Sequence, residues 1–155
     1  MVMTHTEPEL ELKASLARFE TCLDTPMMSG ELVEWVGELQ GTWTDFATQV
    51  RQHLAELHPR LYQQISNQDP ELLPRTEKLQ AEDAGIEEDC DAFDRLLHRF
   101  AEHAPNFEPD EEKIANHAKS LVDEGIALVS RVRKQEVGVQ TWFVEAFTRD
   151  CGVAD

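Results

Sequence analysis

The chain has 155 residues and carries 31 acidic against 14 basic side chains, a formal net charge of −17. That balance counts against nucleic acid or an anionic membrane as the main ligand, because both reward Lys and Arg. With 41% hydrophobic residues it holds enough apolar material for one globular domain over residues 1–155, and no apolar run approaches the roughly 20 residues that cross a bilayer.

The opening MVMTHTEPELELK has neither a basic start nor an apolar stretch and does not read as a signal peptide. Glu7-Pro8-Glu9 then starts a first helix over 8–24, with Leu12, Leu16, Phe19 and Leu23 on one face. A second helix is predicted over 30–66, capped by Ser29. Its apolar stripe runs Val36, Leu39, Trp43, Phe46, Val50, Leu54, Leu57, Leu61 in steps of three and four. Pro59 lies inside it and predicts a kink or an early end. Gly37 and Gly41 suggest a close helix crossing. Asp69-Pro70-Glu71 opens a third helix over 70–104, with the stripe Leu79, Ile86, Cys90, Phe93, Leu97, Phe100. Glu108-Pro109-Asp110 opens a fourth over 109–149, lined by Ile114, Ala118, Leu121, Leu128, Val132, Val139, Trp142 and Ala146. Residues 150–155 read as a loose tail. Three short connections favour antiparallel neighbours, so the expected fold is all-α, an up-down-up-down four-helix bundle, with a coiled-coil dimer of long hairpins as the alternative. The three cysteines, Cys22, Cys90 and Cys151, are too few and too scattered for a disulfide framework and suit reduced thiols in the cytoplasm.

Polar residues that interrupt the stripes mark the candidate site. His53 sits beside Leu54 and faces inward. Asp83 completes the spacing Leu79–Asp83–Ile86 and occupies a core position, where a carboxylate needs a partner, a metal, water or a proton. Gln135 and Glu136 fall between Val132 and Val139. Measured from the turn near Gln68-Asp69, His53 and Asp83 lie at one level. They form either a functional polar site or a plain buried hydrogen bond. His53 and His58 are five apart and point about 140° apart on a straight helix, so they would not share a metal. His98 with Glu102 reads as a solvated pair. The seven carboxylates Glu82, Asp83, Glu87, Glu88, Asp89, Asp91 and Asp94 make the third helix acidic, a solvated face or a dock for a basic protein partner. No nucleophile elbow, phosphate loop or dinucleotide fingerprint is present, and the chain does not read as an enzyme.

The segment Gln52-His53-Leu54, Leu61-Tyr62, Asp69-Pro70-Glu71-Leu72 and Leu79-Gln80-Ala81-Glu82-Asp83 resembles the hemerythrin-like (HHE cation-binding) family over residues 46–100. The resemblance implies a four-helix bundle with a di-iron site, in which His53 takes the place of a ligand. Other ligand positions differ. Leu57 stands where a Glu is expected and Asp83 where a His is expected. Lys134 and Gly138 occupy the positions of a His and a Glu on the fourth helix, and Lys13 falls near the His of the first.

Two expectations follow. In one, the bundle has lost its iron and serves as a regulatory or interaction module, with no cofactor. Its polar core is His53, Asp83, Lys13, Lys134 and Glu136, the two ammonium groups standing where metal charge lay. In the other, His53, Asp83 and Glu136 hold one iron or another divalent metal, joined by Glu56 or His58 if Pro59 bends the helix inward, with oxygen binding or sensing implied by the family. The sequence leaves monomer and homodimer open.

Overall fold

Steps of three and four between apolar residues produce helix almost everywhere. The computed structural model describes residues 6–28, 30–103 and 111–149, and among them it contains four helices and no strand. Helix α1 spans Glu7–Asp24 and α2 spans Leu32–Gln52. A π-helical turn, His53–Leu57, carries α2 directly into α3, His58–Gln68, so the three segments form one continuous rod. A 3-10 turn, Pro70–Leu72, leads into α4, Leu73–His103, and α5 spans Glu111–Arg149. Ser29 and the start signal at Glu108-Pro109-Asp110 lie outside the described residues, as does the tail at 150–155. The second helix begins at Leu32, two residues later than expected, after Gly30 at a φ of +86° that a side chain would resist.

Pro59 neither ends the helix nor breaks it. Its ring has no N–H and would press on the carbonyl of the preceding turn in a regular α-helix. Instead the preceding turn is widened, and the His58 N–H donates to the His53 carbonyl five residues back. The aspartate before Pro70 starts the next helix as its sequence predicts, because the Asp69 side chain accepts from the Glu71 N–H at 3.1 Å.

Apolar side chains gather in two clusters. The larger is aromatic at its centre: Phe19 lies 5.2 Å from Phe46, 5.4 Å from Trp43 and 5.7 Å from Phe93, ring centre to ring centre. Leu12, Leu16, Leu39, Val50, Ile86, Leu121 and Val132 surround it. At Gly125 an added Cβ would sit 2.8 Å from Leu23, so only glycine lets α1 lie this close to α5. The expected close crossing at Gly37 and Gly41 is not made among the described residues, where nothing lies within 4 Å of a Cβ at either. The smaller cluster joins Tyr62, Ile65, Leu72, Leu79, Val139 and Ala146. Between the two clusters, along the same helices, lie His53, His58, Asp83, Gln135 and Glu136.

Candidate metal centre

The widened turn decides the geometry of this polar layer. In a straight α-helix His53 and His58 would diverge, but a turn closed by a bond to the fifth residue back brings them onto one face. Both rings are buried, His53 at 2% exposure and His58 at 1%. Their centres are 6.0 Å apart. Glu136 of α5 faces both: its Oε1 lies 2.7 Å from His58 Nε2 and 3.5 Å from His53 Nδ1. Donor atoms from all three residues lie within 4.8 Å of one another, which makes them a potential metal-holding group among the described residues.

The remaining ring nitrogens are held from behind. His53 Nε2 lies 3.0 Å from the main-chain carbonyl of Pro8 in the first turn of α1. A carbonyl only accepts, so Nε2 carries a proton, and Nδ1 faces Glu136 as a lone pair in the neutral ring and as an N–H in the protonated ring. That Nδ1 is buried and has no hydrogen-bond partner. On the other ring, His58 Nδ1 lies 3.0 Å from both oxygens of Asp83. Asp83 is itself fixed by two further donors, the Tyr62 hydroxyl at 2.7 Å and the Gln135 amide at 2.8 Å. The same amide also donates to the Leu79 carbonyl at 2.8 Å.

Charge follows from these contacts. His58 stands between two carboxylates, and both can only accept from it. Burial opposes its protonation, but the hydrogen bonds to Asp83 and Glu136 outweigh burial and raise it to about 9. Glu136 shows the mirror effect: burial pushes it up, while His53 and His58 together hold it down at about 2. Burial first, and then the Asp83 carboxylate, raise the Tyr62 phenol far above its ordinary range, so it remains a donor. A single added proton on His58 thus faces two carboxylates, Asp83 and Glu136. A divalent cation in place of that proton would balance both carboxylates.

The donor set passes the test for such an ion. Ligands bound at about 2.0–2.2 Å sit roughly 3 Å from one another, and the separations from Glu136 Oε1 to the two ring nitrogens bracket that spacing. Two imidazoles with one carboxylate suit iron, zinc and their neighbours better than calcium or magnesium, which prefer all-oxygen sites. Each ring donates its second N–H to a carbonyl or a carboxylate, as metal-binding histidines characteristically do.

Several expectations from the sequence need correction. Lys13 and Lys134 are exposed, so no ammonium group enters the core and His58 supplies the positive charge instead. Glu56 is also exposed; it accepts from Gln52 at 3.5 Å rather than joining the site. Asp83 meets His58, not His53. The extension of α3 to Gln68 and the 3-10 turn place the middle of the hairpin at Pro70-Glu71, as the pairs His58–Asp83 and Ser66–Thr76 show. Gln135 and Glu136 both reach the layer, Gln135 to Asp83 and Glu136 to the histidines. Sequence reasoning missed the roles of Tyr62 and the Pro8 carbonyl. For Tyr62 a signal existed: it lies one turn beyond His58 on the same face.

The acidic third helix is largely occupied within the molecule. Arg51 pairs with Asp91 and Asp94, and Arg131 with Glu82 and Asp89. Trp43 donates to Asp94 at 2.6 Å. His98 and Glu102 form the expected exposed pair at 3.2 Å. Cys22 and Cys90 are free and buried, and burial raises Cys90 to about 12, which suppresses its thiolate. Cys151 lies outside the described residues. No described helix is long and apolar enough to cross a membrane. Compared with protein-family models, with curated proteins and with solved structures, the chain finds no match.

Proposed function

We propose that this protein binds one divalent transition-metal ion through His53 Nδ1, His58 Nε2 and Glu136, inside an up-down-up-down bundle of the hemerythrin-like kind. One observation carries the reading: the buried, unpartnered Nδ1 of His53, aimed at a carboxylate that a second buried histidine also faces. A ring nitrogen left without a partner in a dry interior costs free energy, and a metal ion would offset that cost. The order of the helices and the pairs Glu9–Gln140 and Glu20–Arg133, which link early α1 to late α5 and late α1 to earlier α5, support the antiparallel arrangement.

A bound ion would supply Lewis acidity or redox chemistry at this layer. The chain's own groups do the rest. Asp83 keeps the proton on His58 Nδ1 and so leaves Nε2 for the ion. Tyr62 and Gln135 hold Asp83 in place, and the Pro8 carbonyl orients His53. We assign the protein to metal binding rather than to catalysis.

Reconstitution with ferrous iron without oxygen, and in parallel with zinc, followed by elemental analysis, tests the proposal. One ion per chain is expected, with loss of the ion in His53→Ala. Full occupancy in that variant would refute the ligand assignment, and no bound ion in the unaltered protein would refute metal binding.

A further inference from the structure

The two histidines are held from behind by different parts of the fold. His58 is held by Asp83, deep on α4 and fixed by three separate donors. The Nε2 of His53 is held by the Pro8 carbonyl, from the first turn of α1. That turn is half-buried at Pro8 and Glu9, with Thr6, Glu7 and Leu10 exposed around them. Its attachments include polar ones. The Glu9 carboxylate accepts from the Thr6 N–H at 3.0 Å and from the Gln140 amide at 3.4 Å, and the Leu10 N–H donates to the Thr6 carbonyl at 3.1 Å. The apolar anchoring of α1 begins only at Leu12. Gln140 lies one turn beyond Glu136 on α5, so the first turn of α1 spans from one ligand's helix to the other ligand's ring.

Resting on the metal site proposed above, we infer that the first turn of α1 is part of that site and acts as its metal-linked clasp. The Pro8 carbonyl fixes the His53 proton on Nε2 and so presents Nδ1 to the ion. If the turn frays, the buried Nε2–H loses its acceptor and the ring loses its orientation. A metal ion withdraws electron density from the ring and strengthens the hydrogen bond from Nε2–H to the carbonyl, which favours the closed turn. Docking of the turn and metal binding therefore raise each other by the same factor, as linkage requires. The clasp can loosen alone, because helix termini open at far lower cost than the packed interior.

Amide exchange on the full-length chain, with and without saturating zinc, reads this coupling. Zinc is expected to slow exchange at Leu10, Glu11 and Leu12 by several-fold, well beyond any change at Phe19 or Leu23. The complementary measurement is zinc affinity in Glu9→Ala, which removes the Glu9 carboxylate's bonds to Thr6 and Gln140. Roughly tenfold weaker binding is expected, in the range for groups that orient metal ligands, with Glu9→Gln largely restoring it by keeping an acceptor. If zinc binds but exchange at Leu10–Leu12 does not change, or Glu9→Ala binds zinc as well as the unaltered protein, the clasp is overturned and the metal site stands. If the unaltered protein binds no zinc, both fall. Should Glu9→Ala fail to fold, exchange on the unaltered chain decides the question.

Discussion

The two ends of this interior are built on opposite principles. Around Phe19, Trp43, Phe46 and Phe93 the core is aromatic and close-packed, with the Trp43 N–H bonded to Asp94 at its edge. About two to three turns further along the same helices, His53, His58, Asp83, Gln135 and Glu136 replace apolar side chains with a hydrogen-bonded charge network. The aromatic layer is expected to lose least from apolar substitutions that preserve volume. The polar layer tolerates none that leaves a charge alone, since breaking one member of a buried network exposes the desolvation cost of the others. A bundle needing only stability would gain by extending the first layer through the second.

That contrast can be broken experimentally, and the largest effect should be on the metal. Glu136→Gln removes the carboxylate that faces both rings, and metal affinity measured by competitive chelation should fall at least 100-fold. Phe46→Ala should do the reverse, costing about 3–5 kcal/mol in denaturant unfolding through the cavity it leaves, while the metal-to-protein ratio holds at one.

Acidity should separate the layers next. An ion must displace the His58 Nε2 proton, which is held up to about 9. Metal affinity should therefore rise about tenfold per pH unit from pH 6 toward 9 and level off above it. Metal-free stability runs the other way at high pH. The stabilisation from protonated His58 is complete below its ordinary 6.5 and is lost as pH rises through about 9. The contribution of Glu136 is present above its ordinary 4.5 and is lost as pH falls through about 2. Thermal melts of the metal-free protein should thus show this network at full strength between pH 4.5 and 6.5, a window that a Glu136→Gln variant should flatten.

A smaller effect is expected from Tyr62→Phe. It removes one of the donors to Asp83 and leaves the other two, so unfolding should lose about 1–2 kcal/mol and metal affinity roughly tenfold.

The same contrast explains what the sequence made legible. The aromatic layer follows from periodicity, because Phe19, Trp43, Phe46 and Phe93 each fall on a stripe with regular steps. The polar residues were visible as interruptions of those stripes, and Asp83, His53, Gln135 and Glu136 were placed inward on that ground. Their pairing was not legible. It depends on a single widened turn, and one extra residue in a turn rotates everything beyond it by about 100°. Pro59 signalled an irregularity but not its kind. A kink would have re-aimed the whole rod, whereas the π-turn keeps the rod continuous and rotates the faces beyond it, which brings His58 to the side of His53. Lys13 and Lys134 were misplaced because they were aligned to a family's ligand positions rather than to the stripes, and the stripes put both outside. The Pro8 carbonyl had no signal at all, since main-chain groups leave none in side-chain patterns.

Cobalt titration of the metal-free protein, followed by visible absorption, tests the shared metal at this layer most directly. The visible bands should be far stronger than those of aqueous cobalt, should saturate at one ion per chain, and should vanish in both His53→Ala and His58→Ala. Bands that persist unchanged in either variant, or cobalt that remains in its aqueous form, would show that these histidines do not share a metal and that the network is a buried charge cluster alone.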